Sequence, residues 1–302
     1  MTNKNIKKVF LFVGIIICLV LAVQWGIDLC YKERVKNKFT LLFKHKIDPA
    51  IMIFGSSTAY YQFDPQIITN VTGKSAFNMG WYGINFVQYN ALINEYISYE
   101  KNSKCIVIVC DINNMGGNAL ITRPDLFLAY LSNDYVYNSL KEIEPRKMFL
   151  ARYLPGYKLT LLNNFFYKSM FVANNDDIKL GGFLPVYSKW DKKDNVNLFS
   201  VNFDERIFSE FRSTLDKITQ KGIKVVLVTP PILEEGQRLV RNIESIKSRY
   251  RSLVRSDVYY LDYTNDSICK SVEYFHNYSH LNNVGAAKFS RIFADDLMRT
   301  VQ

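Results

Sequence analysis

The chain has 302 residues, 48% of them hydrophobic and 22% charged, a balance that supplies one large core and excludes a disordered chain. Its net charge of +10 is unevenly spread, since residues 1–50 hold nine Lys/Arg against three acids and contribute +6. The remaining 252 residues carry only +4, too little for a nucleic-acid footprint, and no nucleic-acid module motif is present.

In chain order, the first element is Val9–Ile27, nineteen residues without a charge and with a single Gln, close to the roughly 20 that cross a bilayer as a helix. Small residues at a cleavage site are missing after the apolar core, and Cys18 follows three isoleucines where a lipoprotein site needs small residues. The segment therefore reads as an uncleaved signal-anchor, the alternative being a buried N-terminal helix. Lys4, Lys7 and Lys8 face Lys32, Arg34, Lys36 and Lys38 across it, nearly a tie under the positive-inside rule. The expected layout is an anchor over 1–30, a basic linker over 31–47 and one domain over 48–302. That domain is expected outside the cytoplasm.

Short apolar runs then recur between helix-like stretches. Ile51–Phe54, Cys105–Val109, Lys224–Thr229 and Val258–Leu261 are β-branched or aromatic and bounded by turn residues or charge, which predicts core strands. Gln88–Tyr99, Phe203–Gln220 and Asn283–Val301 have helical spacing. Alternating strands and helices predict an α/β fold with a parallel, helix-covered sheet. Residues 118–200 lack a clear strand and read as a mostly helical insertion. The five cysteines (Cys18, Cys30, Cys105, Cys110, Cys269) form no C-x-x-C pair, and the odd separation of Cys105 and Cys110 puts them on opposite faces of one strand. Neither a disulfide framework nor a metal site is expected from them, and the three histidines form no H-E-x-x-H cluster.

Two segments carry candidate chemistry. Gly55-Ser56-Ser57-Thr58 follows the run Ile51–Phe54, so Ser57 sits on a turn at the carboxyl edge of the sheet, where open α/β folds bind ligands. Asn277-Tyr278-Ser279-His280-Leu281-Asn282, near the C-terminus, supplies a candidate base in His280. Taken singly, Ser57 is an ordinary helix N-cap, His280 a capping histidine and Asn277 a turn residue. Their order is what distinguishes them. The near match of Gly55–Ala59 to a G-x-S-x-G elbow raises the α/β-hydrolase fold, but the final glycine is missing and the serine follows the first strand of the domain.

Together these blocks resemble the SGNH (GDSL-like) hydrolase family. The resemblance implies a flavodoxin-like three-layer sandwich around a parallel sheet, spanning residues 50–115 and 220–298. In the first block Ser57 takes the nucleophile position, with Ser56 where the family has Asp. In Phe77-Asn78-Met79-Gly80-Trp81-Tyr82-Gly83, Gly83 is the better match to the oxyanion-hole glycine and Gly80 lies close by. Cys110-Asp111-Ile112-Asn113-Asn114 stands for the family's G-x-N-D, which makes Asn113 the side-chain oxyanion donor, with Asn114 one register away. In the last block the D-x-x-H becomes Asn277-x-x-His280. Asn277 then orients the imidazole without a full negative charge, unless Asp262 or Asp266 takes that role. His276 is set aside as a bystander.

The resemblance implies serine-dependent ester chemistry through an acyl-enzyme on Ser57, with the Ser57 N–H, the Gly83 N–H and Asn113 holding the oxyanion. Neither cofactor nor metal is required. It further implies a single-pass protein of the bacterial cytoplasmic membrane, with its domain on the periplasmic or extracellular side, acting on O-acyl groups of an envelope or surface polysaccharide as hydrolase or transferase. The alternative is a catalytically impaired relative that binds glycan or scaffolds an envelope complex, for which the Asn at 277 speaks.

Overall fold

The computed structural model describes residues 3–112, 115–116, 120–171, 176–191 and 197–301. Five strands, β1 (Ile51–Phe54), β2 (Ala76–Asn78), β3 (Cys105–Val109), β4 (Lys224–Thr229) and β5 (Val258–Asp262), form one sheet in the order β2-β1-β3-β4-β5. Every pairing is parallel. The four strands expected from sequence are present. β2 was not anticipated: at three residues on the sheet edge, with Ala76 and Phe77 only half-buried, it offers too short an apolar run to register as a strand.

The side-chain alternation of the strands splits the core in two. Met52, Phe54, Ile106, Ile108, Cys110, Val225 and Leu227 pack on one face, and Ile51, Ile53, Cys105, Val107, Val109, Val226 and Val228 on the other. Cys105 and Cys110 do lie on opposite faces, both buried.

Helices cover both faces. In chain order they are α1 (Asn3–Arg34), α2 (Lys38–Phe43), α3 (Ser57–Gln62), α4 (Pro65–Thr72), α5 (Phe86–Tyr99), α6 (Asp134–Ile143), α7 (Pro145–Tyr153), α8 (Asn164–Phe171), α9 (Asp176–Lys179), α10 (Glu205–Thr219), α11 (Glu234–Arg238), α12 (Ile243–Arg251) and α13 (Asn283–Thr300). α3, α4 and α13 bury Ala59, Ile68, Phe289 and Phe293 on the Cys105 face, and α5, α10 and α12 bury Phe86, Phe211 and Tyr250 on the Cys110 face. This is a three-layer α/β sandwich with a mostly helical insertion (α6–α9). α1 is long and apolar enough to cross a membrane, and none of its apolar stretch is buried in the protein.

Residues 31–47, read from sequence as a basic linker, pack into the domain. Tyr31, Val35, Phe39 and Leu42 are buried, and so is Lys38. The Lys38 ammonium donates to the carbonyls of Asn78 (3.1 Å) and Gly182 (2.7 Å) and lies 4.0 Å from the Tyr60 ring centroid. It ties the carboxyl end of β2 to the insertion. Burial pushes its pKa down to about 7, against the opposing pull of Asp177.

Candidate active site

With strand order 2-1-3-4-5, the connections leave β1 and β3 in opposite directions, and the crevice at their carboxyl ends is the topological switch point. Ser57 opens α3 just after β1, and Asp111 follows β3. As the first residue of a helix, Ser57 has a backbone N–H without an intrahelical acceptor, beside the positive end of the helix dipole. The hydroxyls on either side of it donate to one carboxylate oxygen, Ser56 Oγ at 2.9 Å and Thr58 Oγ1 at 3.3 Å from Asp111 Oδ2. Sequence reasoning looked to Asn113 in this block and passed over Asp111. The available signal was a carboxylate at the end of the neighbouring strand opposite two hydroxyls that flank the candidate nucleophile.

The histidine arrives on the loop before α13. A bridge between Phe275 and Leu281 closes this loop, and the His276 N–H donates to the His280 carbonyl at 2.8 Å. Asn277 Oδ1 accepts from the backbone N–H groups of Ser279 and His280, both at 2.9 Å, and from Ser279 Oγ at 3.2 Å. The two backbone N–H groups fix which end of the amide faces inward, since an NH2 group there would meet them donor to donor. That same oxygen is 3.0 Å from His280 Nδ1, so Nδ1 carries the hydrogen and Nε2 keeps its lone pair. His280 Nε2 lies 2.8 Å from Ser57 Oγ. The ring is held further by the Tyr61 side chain, edge to face with centroids 5.6 Å apart.

Burial lowers the His280 pKa below its ordinary 6.5; the Asp111 carboxylate opposes that shift and His276 adds to it. The imidazole is thus neutral at neutral pH and able to accept a proton. His276, set aside on sequence grounds, both braces the loop and acts on this titration, and its own Nδ1 is 2.6 Å from Ser188 Oγ.

Of the two glycines considered for the oxyanion hole, Gly80 is wedged against α3: a methyl on it would lie 2.5 Å from Ala59 Cβ and 2.7 Å from the Tyr60 nitrogen. Gly83 is looser, with φ +75° and 3.8 Å from such a methyl to Arg123 Cγ, and its carbonyl accepts from Thr122 Oγ1. Gly80 is the one packed against the helix that carries Ser57. Asn113 and Asn114 lie outside the described residues. Asp262 is engaged with Thr264 Oγ1 (2.7 Å) and Lys247 (3.2 Å), and Asp266 caps a short helix through the Ile268 N–H (2.8 Å). Neither is a partner of His280 Nδ1, whose neighbours are Asn277 Oδ1 at 3.0 Å and Ser279 Oγ at 3.2 Å.

Beside α3, which contributes Tyr60 to its wall, a cleft of about 440 Å³ runs between the carboxyl edge, the insertion and the end of α1. Its walls include Lys36, Tyr60, Trp81, Tyr82, Arg123 and Phe165. Arg123 is held in place by a fork onto Asp125, with Nε at 2.9 Å and Nη2 at 2.6 Å, and its guanidinium lies 4.6 Å from the Tyr82 ring centroid. Volume and lining suit a polar organic ligand with ring faces to stack on.

No family model and no curated protein matches the chain. Among solved structures it is similar to a Streptococcus pneumonia protein provisionally described as a platelet activating factor, at 13% identity and a TM-score of 0.42, over 97% of this chain and 99% of that one. It is also similar to a Bacteroides fragilis protein provisionally described as an acylhydrolase, at 12% identity and a TM-score of 0.41, over 88% of this chain and 100% of that one. Both values are low, so the reading of the site rests on the geometry given above.

Proposed function

We propose that the chain is a serine-dependent ester hydrolase or O-acyltransferase working through an acyl-enzyme on Ser57. The observation that carries this is the unbroken line from Asn277 Oδ1 to His280 Nδ1 (3.0 Å) and from His280 Nε2 to Ser57 Oγ (2.8 Å). Ser57 Oγ attacks the ester carbonyl while His280 Nε2 takes its proton; the C–O bond to the leaving alcohol then breaks as His280 returns that proton to it. Water or an acceptor hydroxyl resolves the acyl-enzyme by the same steps in reverse. The N–H groups of Ser57 and Gly83, with Asn113, are the proposed oxyanion donors. Asn277 supplies the tautomer, and the Asp111 carboxylate supplies part of the negative field that a triad aspartate would bring.

The substrate is an acylated glycan, seated with its sugar rings in the cleft walled by Trp81, Tyr82 and Phe165. The apolar α1 anchors the protein in a bacterial cytoplasmic membrane, with the domain on the outer side. The second reading, a non-catalytic glycan binder, is favoured only by the amide at 277. A fluorophosphonate probe separates the two on full-length, detergent-solubilised protein: wild type labels, while Ser57→Ala and His280→Ala do not. A folded wild type that stays unlabelled would eliminate the enzymatic reading.

A further inference from the structure

α1 meets the rest of the chain along one stripe. Val20, Gln24, Ile27 and Asp28 are half-buried and Tyr31 and Val35 buried, spaced three or four apart, while Leu21, Ala22, Val23 and Trp25 face outward. The partner at the lower end of that stripe is the insertion. The Gly156 N–H donates to Gln24 Oε1 at 3.2 Å, and a methyl on Gly156 would come within 2.9 Å of Val20 Cγ1. Lys158 is ion-paired with Asp28, and Tyr31 stacks on Phe166 with centroids 4.5 Å apart.

These contacts fix a depth. Val20 lies seven residues inside the carboxyl end of the apolar run Val9–Ile27, or about 10 Å along a helix. The run as a whole is only about 29 Å long, matching a hydrocarbon layer of roughly 30 Å, so Val20 has no slack to rise out of the bilayer. Whatever touches Val20 and Gln24 is carried into the membrane with them. Gln24, the one polar side chain of the run, has its amide oxygen answered by this loop.

The segment that would be submerged is built for it. From Arg146 to Leu162 there is no acidic residue, while Arg146, Lys147, Arg152 and Lys158 are basic. Phe149, Tyr153 and Leu154 are 55%, 57% and 49% exposed, a large apolar presentation for neighbouring residues on one helix end. The backbone at the tip is satisfied internally, as a lipid-facing loop requires: the N–H groups of Leu154, Tyr157 and Leu159 reach the carbonyls of Leu150, Leu154 and Gly156 at 2.9, 3.1 and 3.1 Å, Gly156 reaches Gln24, and Pro155 has no N–H.

We infer that α7 and the following turn, Pro145–Leu162, form a membrane-interface surface, with Phe149, Tyr153 and Leu154 in the outer acyl layer and Arg146, Lys147 and Arg152 at the headgroups, Lys158 being buried against Asp28. The domain is then seated on the bilayer, not hung from a flexible tether. Because Tyr31 and Val35 line the cleft that also includes Tyr60 of α3, the cleft is held at the membrane surface, where it meets substrate presented from the bilayer.

The inference rests on α1 spanning the membrane, and one experiment tests both statements separately. Full-length protein in phosphatidylcholine/phosphatidylglycerol nanodiscs carrying a diazirine acyl-chain lipid is photolysed and its lipid adducts are mapped by mass spectrometry. Adducts are expected on α1 and on Phe149, Tyr153 or Leu154, and not on the exposed Val254 and Met298 at the amino edge of the sheet. Adducts on α1 alone would overturn the seated surface; none on α1 would overturn the anchor itself. The double variant Tyr153→Asp/Leu154→Asp is expected to lose the insertion adducts, keep those on α1 and keep its fluorophosphonate labelling. Retention of the insertion adducts in that variant also counts against the inference.

Discussion

Asn277→Asp turns the dyad's amide partner into a carboxylate without moving an atom of the framework, which makes it the sharpest probe of the site. Asn277 Oδ1 is 3.0 Å from His280 Nδ1 and already accepts from two backbone N–H groups and Ser279 Oγ, so an aspartate oxygen is welcomed by the same three donors. A full charge at 3.0 Å interacts with an imidazolium by about 5–6 kcal/mol at an effective dielectric near 20, of which the amide dipole already provides a share. An opposite charge this close ordinarily raises a pKa by about 1–3 units, or roughly 1.4–4 kcal/mol. If proton transfer is about half complete in the transition state, the plateau rate of fluorophosphonate labelling at high pH should rise roughly three- to thirtyfold. In wild type, labelling should climb with pH through a midpoint below 6.5, because burial lowers the His280 pKa and only the neutral imidazole accepts the proton. In Asn277→Asp that midpoint should move up by about 1–3 units. The assay is the second-order labelling rate of the full-length protein between pH 5 and 9. An unchanged plateau together with an unchanged midpoint would refute the placement of residue 277 on the histidine.

Asp111→Asn keeps an acceptor for Ser56 and Thr58 but removes the charge that raises the His280 pKa, so its pH–rate midpoint should fall below that of wild type; a rise would count against the proposed electrostatics. Gly80→Ala places a methyl 2.5 Å from Ala59 Cβ and should destabilise the protein by about 1–3 kcal/mol and displace Ser57, whereas Gly83→Ala meets only an ordinary contact with Arg123 Cγ and should cost about 1–2 kcal/mol for its positive φ. Chemical denaturation and labelling rates on the two variants should rank accordingly. Lys38, with a native pKa of about 7 against 10.5 when unfolded, makes the unfolded chain bind more protons between those values. Stability should therefore rise with pH across that window, by at most about 5 kcal/mol, and Lys38→Met should flatten the rise; a wild-type stability that falls from pH 7 to 10 would contradict the burial argument.

Much of this protein was legible from its chain. The runs Ile51–Phe54, Cys105–Val109 and Lys224–Thr229 are strands because buried parallel strands need continuous apolar, β-branched-rich stretches, and the edge run Val258–Leu261, though only half-buried, carries the same local mark in its valine and two tyrosines. The helical periodicities of Gln88–Tyr99, Phe203–Gln220 and Asn283–Val301 were equally plain, and helices end there at Tyr99, Thr219 and Thr300, since an amphipathic helix writes its buried stripe every three or four residues. What periodicity could not convey was the short edge strand β2, or that Lys38, a charged residue in an apparent linker, is buried under Tyr60 because two carbonyls and a ring face replace its water.

Ser57 and His280 were each identifiable as residue types in suggestive company, but 223 positions separate them, and only the sheet order and the Phe275–Leu281 loop bring them to 2.8 Å. The direction of the Asn277 amide is likewise tertiary information, decided by two backbone N–H groups meeting at one oxygen. So is Asp111, whose neighbours Ser56 and Thr58 lie 55 and 53 residues away and reach it only through the parallel register of β1 on β3. Local pattern determined which segments are strand, helix and apolar span, because burial and backbone geometry act within a few residues. Long-range pairing alone decided the site, because a proton relay depends on contacts between groups that the covalent chain holds far apart.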